Sequence, residues 1–598
     1  MEGCMKSLVA LAEMLLRDIS TQYSLDSSRD LETLRARHGK EGEPFLTITL
    51  DAYRVAFEAA LEAGTWDNIL IPGFRKDGRL PAFLRGFVSL VFQRNGQIRS
   101  NPDWTAVKAI RQLTGFAAKM RVECDPRYTL RAISDFKSVD ARAVTGATPA
   151  LKAVFADLFD GVMRDVETRL DNFDLHVKHG DGASQDKLLP NSRWKFPNWE
   201  EGLEPFFPSY EYAYLNPRHA AVDRTTEAAT APVRVQFVPK TAKGPRTIAI
   251  EPSWRMYCQQ GLWNALSESI ERRGLPPRFS DSSLNRTLAR QGSVSRDLAT
   301  IDLSAASDSV SSRLVWELTS GRPEFRAALF AARSSQATLP DGTTLTLNKF
   351  ASMGAATCFP IEAMVFAAIA VYAMAPRTAS GAVSLPISRE VVRRVTVYGD
   401  DIVVPSTEYS AVVDALKSFG FRVNAKKSFV QGFFRESCGG DYFMGHDVSY
   451  VKVRRPLGFS TTGAEDTVST VSLRNKLAET GLYPLTVAAL DKELFRGLRI
   501  FPPGRPETPG LVRTHTGNGV PTELQFHRYQ THRLQRAEVK AWTQRSEFKA
   551  DHLDGLDGLH KSLRMAERLD SPSKVPANFE FAGRSVRVRL TARWVPVA

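Results

Sequence analysis

Cysteine is scarce and poorly placed to make structure. The 598-residue chain has five, an odd number scattered as Cys4, Cys124, Cys258, Cys358 and Cys438 with no CxxC pair. That argues against a disulfide framework and against a zinc site. The ten histidines form no HExxH motif, so no transition-metal site is expected either. There is no Walker A string, which leaves any phosphate binding to side-chain cations and metal. Long apolar runs are missing too. The longest, Ala363 to Ala375, has 13 residues against the roughly 20 needed to span a bilayer. The apolar stretch Leu8 to Leu16 contains Glu13 and lacks a basic leader, so it reads as an amphipathic helix rather than a signal peptide. No internal repeat or low-complexity tract occurs. These absences predict a soluble protein of a reducing compartment with no membrane partner.

What is present is the balance of a folded protein: 43% hydrophobic and 24% charged residues, which excludes disordered, collagen-like and mucin-like chains. At roughly 150 residues per domain the length allows about four domain-sized pieces. Lys and Arg outnumber Asp and Glu by 79 to 66, a net charge of +13. A chain of this size buries a sizeable core unaided, so the positive excess is free to serve a polyanion, with nucleic acid the leading candidate.

Residues 1 to about 180 read as mostly helical, with apolar residues at helical spacing in segments such as Leu151 to Leu170. A loop-like stretch from Gly180 to Tyr210 interleaves Trp194, Phe196, Trp199, Phe206 and Phe207. These aromatics either stack bases or anchor the loop onto the core, and the second reading is favoured. From about 232 the pattern is mixed, with strand-like runs at Val233–Val238, Thr247–Ile250, Leu298–Asp302 and Val395–Tyr398. Phe501 to Gly510 carries four prolines and marks a border. Beyond it Arg528, His532, Arg536 and Lys540 recur every four residues, predicting one helical face that either tracks phosphates or is simply solvated.

The sharpest chemical signal is Val395 to Val404 (VTVYGDDIVV), two β-branched runs around Gly399–Asp400–Asp401. It predicts a tight hairpin with acids at its tip. Adjacent aspartates repel unless a cation lies between them, and oxygen ligands suit Mg²⁺ or Mn²⁺. A second acid, Asp302, ends the strand-like run from Leu298, and Asp308 follows about one helical turn later facing the same cleft. If the two strands are neighbours, Asp302 and Asp400 supply the carboxylates of a two-metal centre. Lys240, Lys243 and Arg246, set among Gly and Pro, form a basic loop able to reach a triphosphate. Ser352 to Thr357 is a small-residue turn entering an apolar helix. Its small residues suit close approach to a ligand or simple helix packing.

The order of these elements resembles motifs F, A, B and C of a template-dependent polymerase palm. It is similar, further, to the replicase catalytic (beta) subunit of the single-stranded RNA bacteriophages, the leviviruses. The strings that carry the resemblance are VPKTAKGPRTIAIEPSW (Val238 to Trp254), IDLSAASDS (Ile301 to Ser309), SMG (Ser352 to Gly354), VYGDDIVVP (Val397 to Pro405) and FRESCGGDYFMGHDV (Phe434 to Val448). The last follows Asn424–Ala425–Lys426–Lys427, as motif D precedes motif E. The resemblance covers about residues 234 to 456.

It implies an α+β, right-handed fingers–palm–thumb polymerase with an antiparallel palm carrying the Asp-Asp hairpin. Residues 1–255 would form the N-terminal region and fingers, and 256–455 the palm, with a fingers insertion near 310–350. Residues 456–598 would form the thumb and C-terminal region. The implied activity is RNA-directed RNA synthesis from NTPs on a phage RNA template, with two Mg²⁺ ions and Mn²⁺ as a substitute. Position by position, the resemblance makes Asp302 and Asp400 metal ligands with Asp401 in support, and gives Lys240, Lys243 and Arg246 the triphosphate. Asp308 would sense the ribose 2′-hydroxyl, with Ser352 and Gly354 lining that pocket. Lys426 or Lys427 would protonate the pyrophosphate as general acid. Ser437, Cys438 and Gly439 would cradle the product's 3′ end. Relatives often carry a motif B asparagine that helps read the 2′-hydroxyl; this chain has Ala355 and Ala356, with Glu362 further on. The resemblance also implies host partners, elongation factors Tu and Ts and a small-subunit ribosomal protein, in the cytoplasm of the infected bacterium. A reverse transcriptase is the nearest alternative, but such enzymes place a bulky aromatic after the first aspartate where this chain has small residues and Asp308. A non-catalytic RNA-binding virion protein would leave the three aspartates unexplained.

Overall fold

A computed structural model of the chain describes residues 7–67, 69, 71, 73–122, 125–180, 182–213, 231–459, 464–497, 529–531, 536–548, 553, 555–566 and 585–596. Helices and strands are mixed throughout it. The helices that position the site are α1 (Leu50–Ala63), α2 (Trp104–Gly115), α3 (Pro149–Asp171), α4 (Ser283–Ser295), α5 (Cys358–Met374) and α6 (Tyr409–Ser418). The corresponding strands are β1 (Val233–Thr241), β2 (Gly244–Ile250), β3 (Leu298–Ile301), β4 (Thr396–Tyr398), β5 (Asp401–Pro405), β6 (Phe434–Ser437) and β7 (Gly440–Phe443).

The expected helical N-terminal region is present, and α3 shows why it forms. Thr148 caps its first turn by accepting from the Leu151 amide, and Pro149 occupies the first helical position, where no amide is needed. Leu151, Val154, Phe155, Leu158, Val162 and Val166 then return on one buried face. That face packs on α5, whose far side packs on α6. Helix α5 is apolar on all sides except at Glu362 and almost wholly buried, so it behaves as the axle of the surrounding core.

Two large cores interrupt chain order. The first joins α3, α5, β3, β4, β5 and α6. The second joins helices of the first 120 residues to Phe429, Phe434 and Phe443 of the 429–448 region and to Leu473, Leu477 and Leu490. A smaller core lies under β1 and β2, whose sheet runs β2–β1–(Gln336–Thr338)–(Thr344–Thr346). Trp194, Phe196, Trp199 and Phe207 are buried in the first core, so the aromatic loop is anchored rather than open for stacking. Of the basic stripe, Arg528 and His532 lie outside the described residues, as does the four-proline segment. Arg536 and Lys540 lie on the strand Arg536–Phe548, paired with Ser585–Pro596, not on a helix. A spacing of four also keeps residues on one face of a strand, and the long cross-strand ladder decides in favour of that alternative. Among the described residues no helix is long and apolar enough to cross a membrane.

Candidate active site

Strand β5 lies between β3 and β4, antiparallel to both. Ile301 pairs with Ile402, so the next residue along β3, Asp302, falls at the level of Asp401. Tyr398 pairs with Asp401, leaving Gly399 and Asp400 as a two-residue turn. Gly399 has φ +60°, and a Cβ there would stand 2.5 Å from the Phe359 ring on α5. Glycine therefore seats the acidic turn against the central helix. The two acid-bearing segments are neighbours, the condition on which the pairing of Asp302 with Asp400 depends.

Each carboxylate has its own supports. Asn424 donates to Asp302 Oδ2 at 2.7 Å, and Lys427 Nζ donates to Oδ1 at 3.4 Å. Lys426 beside it is exposed, so of the two motif D lysines only Lys427 reaches the acids. The Cys438 amide donates to Asp401 Oδ2 at 3.2 Å. Cys438 and Gly439, both at positive φ, form the tight turn between β6 and β7 and hold it against the acidic hairpin. Burial and then the Asp302 charge push the Asp400 carboxyl above its ordinary range. Burial, Asp400 and Asp302 push Asp401 to about 6. Glu436 on β6 rises to about 7 from burial and Asp441. Burial alone would lower Lys427, but Glu436 and Asp302 outweigh it and hold this lysine protonated.

Asp308 occupies a short helical turn and is fixed from the side of the 349–354 loop. Lys349 Nζ donates to its Oδ1 at 2.9 Å and Ser352 Oγ at 2.8 Å. Lys349 is fully buried, lies 3.4 Å over the Phe136 ring, and was not singled out from sequence. Gly354, at φ +130°, owes its identity to a different contact. A Cβ there would meet the Ala249 carbonyl oxygen at 2.0 Å, so the glycine lets the loop lie directly on β2. The Ala249 amide donates to the Met353 carbonyl at 2.9 Å and locks that approach.

Lys240 and Arg246 line a cavity of about 870 Å³, together with Glu436 and Gly439. Burial and the neighbouring Arg246 and Lys427 lower the Lys240 pKa, while Asp400 and Asp302 oppose that shift, so the lysine links the cavity to the acids. Lys243 does not line the cavity; it is ion-paired with Asp51 of α1. Five further cations, Lys119, Arg121, Lys452, Arg454 and Arg455, were missed from sequence. The pattern that carries the first four is legible in retrospect. Lys119–Met120–Arg121 and Lys452–Val453–Arg454 alternate, with Met120 and Val453 buried between the cations. The two strings run side by side, the Arg121 amide donating to the Arg454 carbonyl at 2.9 Å. Burial, followed by the Lys427 charge, lowers Lys119 to about 8.

The acids fit a hard divalent cation by chemistry: all donors are oxygens, and Asp400 and Asp401, raised first by burial and then by the neighbouring carboxylates, are acids that a cation would relieve. Among the described residues no group of three or more His, Cys, Asp or Glu side chains is gathered tightly enough to hold an ion alone. A cation here would be shared with substrate oxygens, as is usual for Mg²⁺.

Residues 169–462, which include every one of these acids, match the RNA replicase, beta-chain family. Over that segment the chain is similar to this family. It is 37% identical over 265 residues to the RNA-directed RNA polymerase subunit beta of Enterobacteria phage SP, covering 44% of this chain and 43% of the relative. It is 40% identical over 217 residues to the subunit beta of Escherichia virus Qbeta, covering 36% and 34%. The corresponding values for the beta chain of Escherichia phage MS2 are 37% over 220 residues, with 37% of each chain covered. The matched part thus spans less than half the length of these curated relatives. Among solved structures, the BmCPV RNA-dependent RNA polymerase at elongation state aligns with 75% of this chain and 45% of its own, at 11% identity and a TM-score of 0.45. Lys119 and Arg121 lie outside the replicase segment, whereas Lys349, Lys452 and Arg454 lie inside it.

Proposed function

We propose that the chain is an RNA-directed RNA polymerase, a nucleotidyltransferase that copies single-stranded phage RNA from NTPs and releases pyrophosphate. The observation that carries the reading is the pair of neighbouring acidic segments, Asp302 and Asp400–Asp401, bordering a cation-lined cavity through Lys240. In this reading residues 1–255 serve as N-terminal region and fingers, 256–455 as palm with a fingers insertion near 310–350, and 456–598 as thumb and C-terminal region.

Asp302 and Asp400, with Asp401 in support, would hold two Mg²⁺ ions, or Mn²⁺ in their place, which activate the attacking 3′-hydroxyl and steady the leaving pyrophosphate. Lys240 and Arg246 bind the triphosphate as it enters, and Lys119, Arg121, Lys452 and Arg454 extend the same positive path. Asp308, oriented by Lys349 and Ser352, accepts a hydrogen bond from the ribose 2′-hydroxyl. Lys427 holds the proton delivered to the departing pyrophosphate. The Ser437–Cys438–Gly439 turn, tied to Asp401, supports the product's 3′ end. Kinship with proteins named as beta subunits supports a multi-subunit replicase. The host partners would be elongation factors Tu and Ts and a small-subunit ribosomal protein, in the bacterial cytoplasm.

The test is nucleotide incorporation by the purified chain on an RNA template with Mg²⁺, NTPs and dNTPs offered separately and host factors added back in parallel. Template-dependent NTP incorporation that disappears in Asp400→Asn, with RNA binding retained, is the expected result. Preference for dNTPs would indicate a reverse transcriptase. Silence in both, with RNA binding intact, would indicate a non-catalytic RNA-binding protein.

A further inference from the structure

Of the three cations in the basic loop, Lys243 stands apart. The β1–β2 ladder pairs Val238 with Arg246 and resumes only at Thr241 with Gly244. Pro239 and Lys240 lie opposite Pro245 in the irregular step, and neither proline has an amide to donate. Regular backbone pairing therefore breaks at Lys240, which lines the cavity. The tip beyond the break is held by a side chain instead. Half-exposed Lys243 donates to Oδ2 of Asp51 on α1, 192 residues earlier, a carboxylate only 10% exposed.

Asp51 is built as a fixed anchor. Arg54 takes its Oδ1 with both Nε, at 2.9 Å, and Nη2, at 2.7 Å, which leaves Oδ2 for the loop. Arg54 also bonds Glu58 at 2.6 and 2.7 Å, and Glu58 accepts from Arg111 of α2 at 2.8 Å. Arg111 reaches Asp441 of β7 at 3.1 Å. Three cations and three anions thus alternate from the loop tip to β7, the strand that leaves the Cys438–Gly439 turn. We propose, on the reading of the site as a polymerase, that Lys243 and Asp51 are positioning residues. Their ion pair latches the basic loop to α1 so that Lys240 and Arg246 meet the incoming triphosphate. Lys243 serves nucleotide affinity without touching the nucleotide. Asp51 lies outside the matched replicase segment, so the latch ties that segment to the N-terminal helices.

The test is single-nucleotide incorporation on an RNA template with Mg²⁺ by full-length wild type, Lys243→Met, Asp51→Asn and the double variant. Each single variant should raise the NTP KM about fivefold, the upper range for a partly exposed ion pair, with kcat within about twofold. The double variant should cost no more than either single one, because both residues act through one bond. A normal KM in Asp51→Asn beside a raised KM in Lys243→Met, or losses that multiply in the double variant, would make Lys243 a direct triphosphate ligand and overturn the proposal. A second readout needs no nucleotide and no change at Asp51. Trypsin cleavage after Lys240 and Arg246 should quicken about fivefold in Lys243→Met, because cleavage follows the population of the open loop. Unchanged cleavage removes the latch itself while wild-type NTP incorporation keeps the polymerase reading standing. A wild-type chain that incorporates no NTP removes that reading and with it the nucleotide role of the pair.

Discussion

Gly354→Ala is the substitution from which the geometry of the site demands most. The added Cβ would lie 2.0 Å from the Ala249 carbonyl oxygen, where a carbon–oxygen contact normally stands at about 3.3 Å or more. Neither partner is a flexible side chain, so the 352–354 loop must lift from β2 by roughly 1.3 Å. The backbone at φ +130° adds about 1–3 kcal/mol of strain for any residue with a Cβ. Ser352, two residues away, then leaves its 2.8 Å hydrogen bond to Asp308. A displacement near 1 Å at a positioning group costs on the order of 10²-fold in rate. The expected outcome is a fall in NTP kcat/KM of about 10²-fold with a stability loss of about 1–3 kcal/mol in denaturant unfolding. Gly342→Ala is the matched control: its φ is +83°, but nothing lies within 4 Å of its Cβ. It should lose about 1 kcal/mol and leave incorporation within about twofold. If Gly354→Ala retains wild-type kcat/KM, or if Gly342→Ala loses as much, collision with β2 is not what glycine avoids at this position.

Three further outcomes are expected. Asp308→Ala should lower the NTP-to-dNTP specificity ratio at least about tenfold while leaving the Mg²⁺ dependence of the rate in place; an unchanged ratio takes Asp308 out of ribose recognition. Lys427→Met should reduce kcat by about 10²-fold or more, whereas the exposed Lys426→Met should stay within about twofold; single-turnover rates reversing that order would reassign the proton donor. The raised Asp401 pKa means that its folded state holds the proton more tightly than its unfolded state. Its cost to stability is therefore absent below about pH 4 and complete above about pH 6, reaching at most about 3 kcal/mol. Mg²⁺ should accordingly raise the melting midpoint more at about pH 7.5 than at about pH 5, and equal shifts at the two pH values would count against cation binding at these acids.

The local strings of the site were legible because each is a short run whose backbone conformation follows from its own residues. β-branched runs around Gly399 form a hairpin, and an apolar strand delivers Asp302. The regular face of α3 was legible for the same reason. What failed was local too, but ambiguous: the spacing of Arg536 and Lys540 suits a helix and a strand equally, and only pairing with Ser585–Pro596 separates them. The choice between Lys426 and Lys427 depends on which way one turn faces. Lys349 could not be seen because its partners, Asp308 and Phe136, lie 41 and 213 residues away in the chain, and nothing in its immediate neighbours marks a buried lysine. Gly354 was legible as a close-approach glycine, but what approaches, the β2 backbone, was not.

The deeper reason the site exceeds its motifs is that it stands on the seam between two cores. Ile301, Val397 and Ile402, which carry the acids, belong to the core built around α5. Phe429, Phe434 and Phe443, which carry the Ser437–Gly439 turn, belong to the core built from the first 120 residues. The seam is closed by specific bonds rather than by a continuous apolar layer. Thr300 and Phe429 exchange backbone hydrogen bonds of 3.0 and 2.9 Å, and buried Arg435 donates to the Leu298 carbonyl at 2.7 Å. The Cys438 amide completes the set at Asp401. On the N-terminal side, fully buried Arg111 of α2 pairs with Glu58 of α1 and with Asp441 of β7, fixing the second core to the same hairpin. Each core alone presents half of the charge pattern: acids from the first, and Lys119, Arg121, Lys452 and Arg454 from strands of chain packed on the second. Placing the cation-lined cavity beside the acids requires the two to be held in register. Polar bonds with fixed directions set that register better than apolar contact, which tolerates sliding.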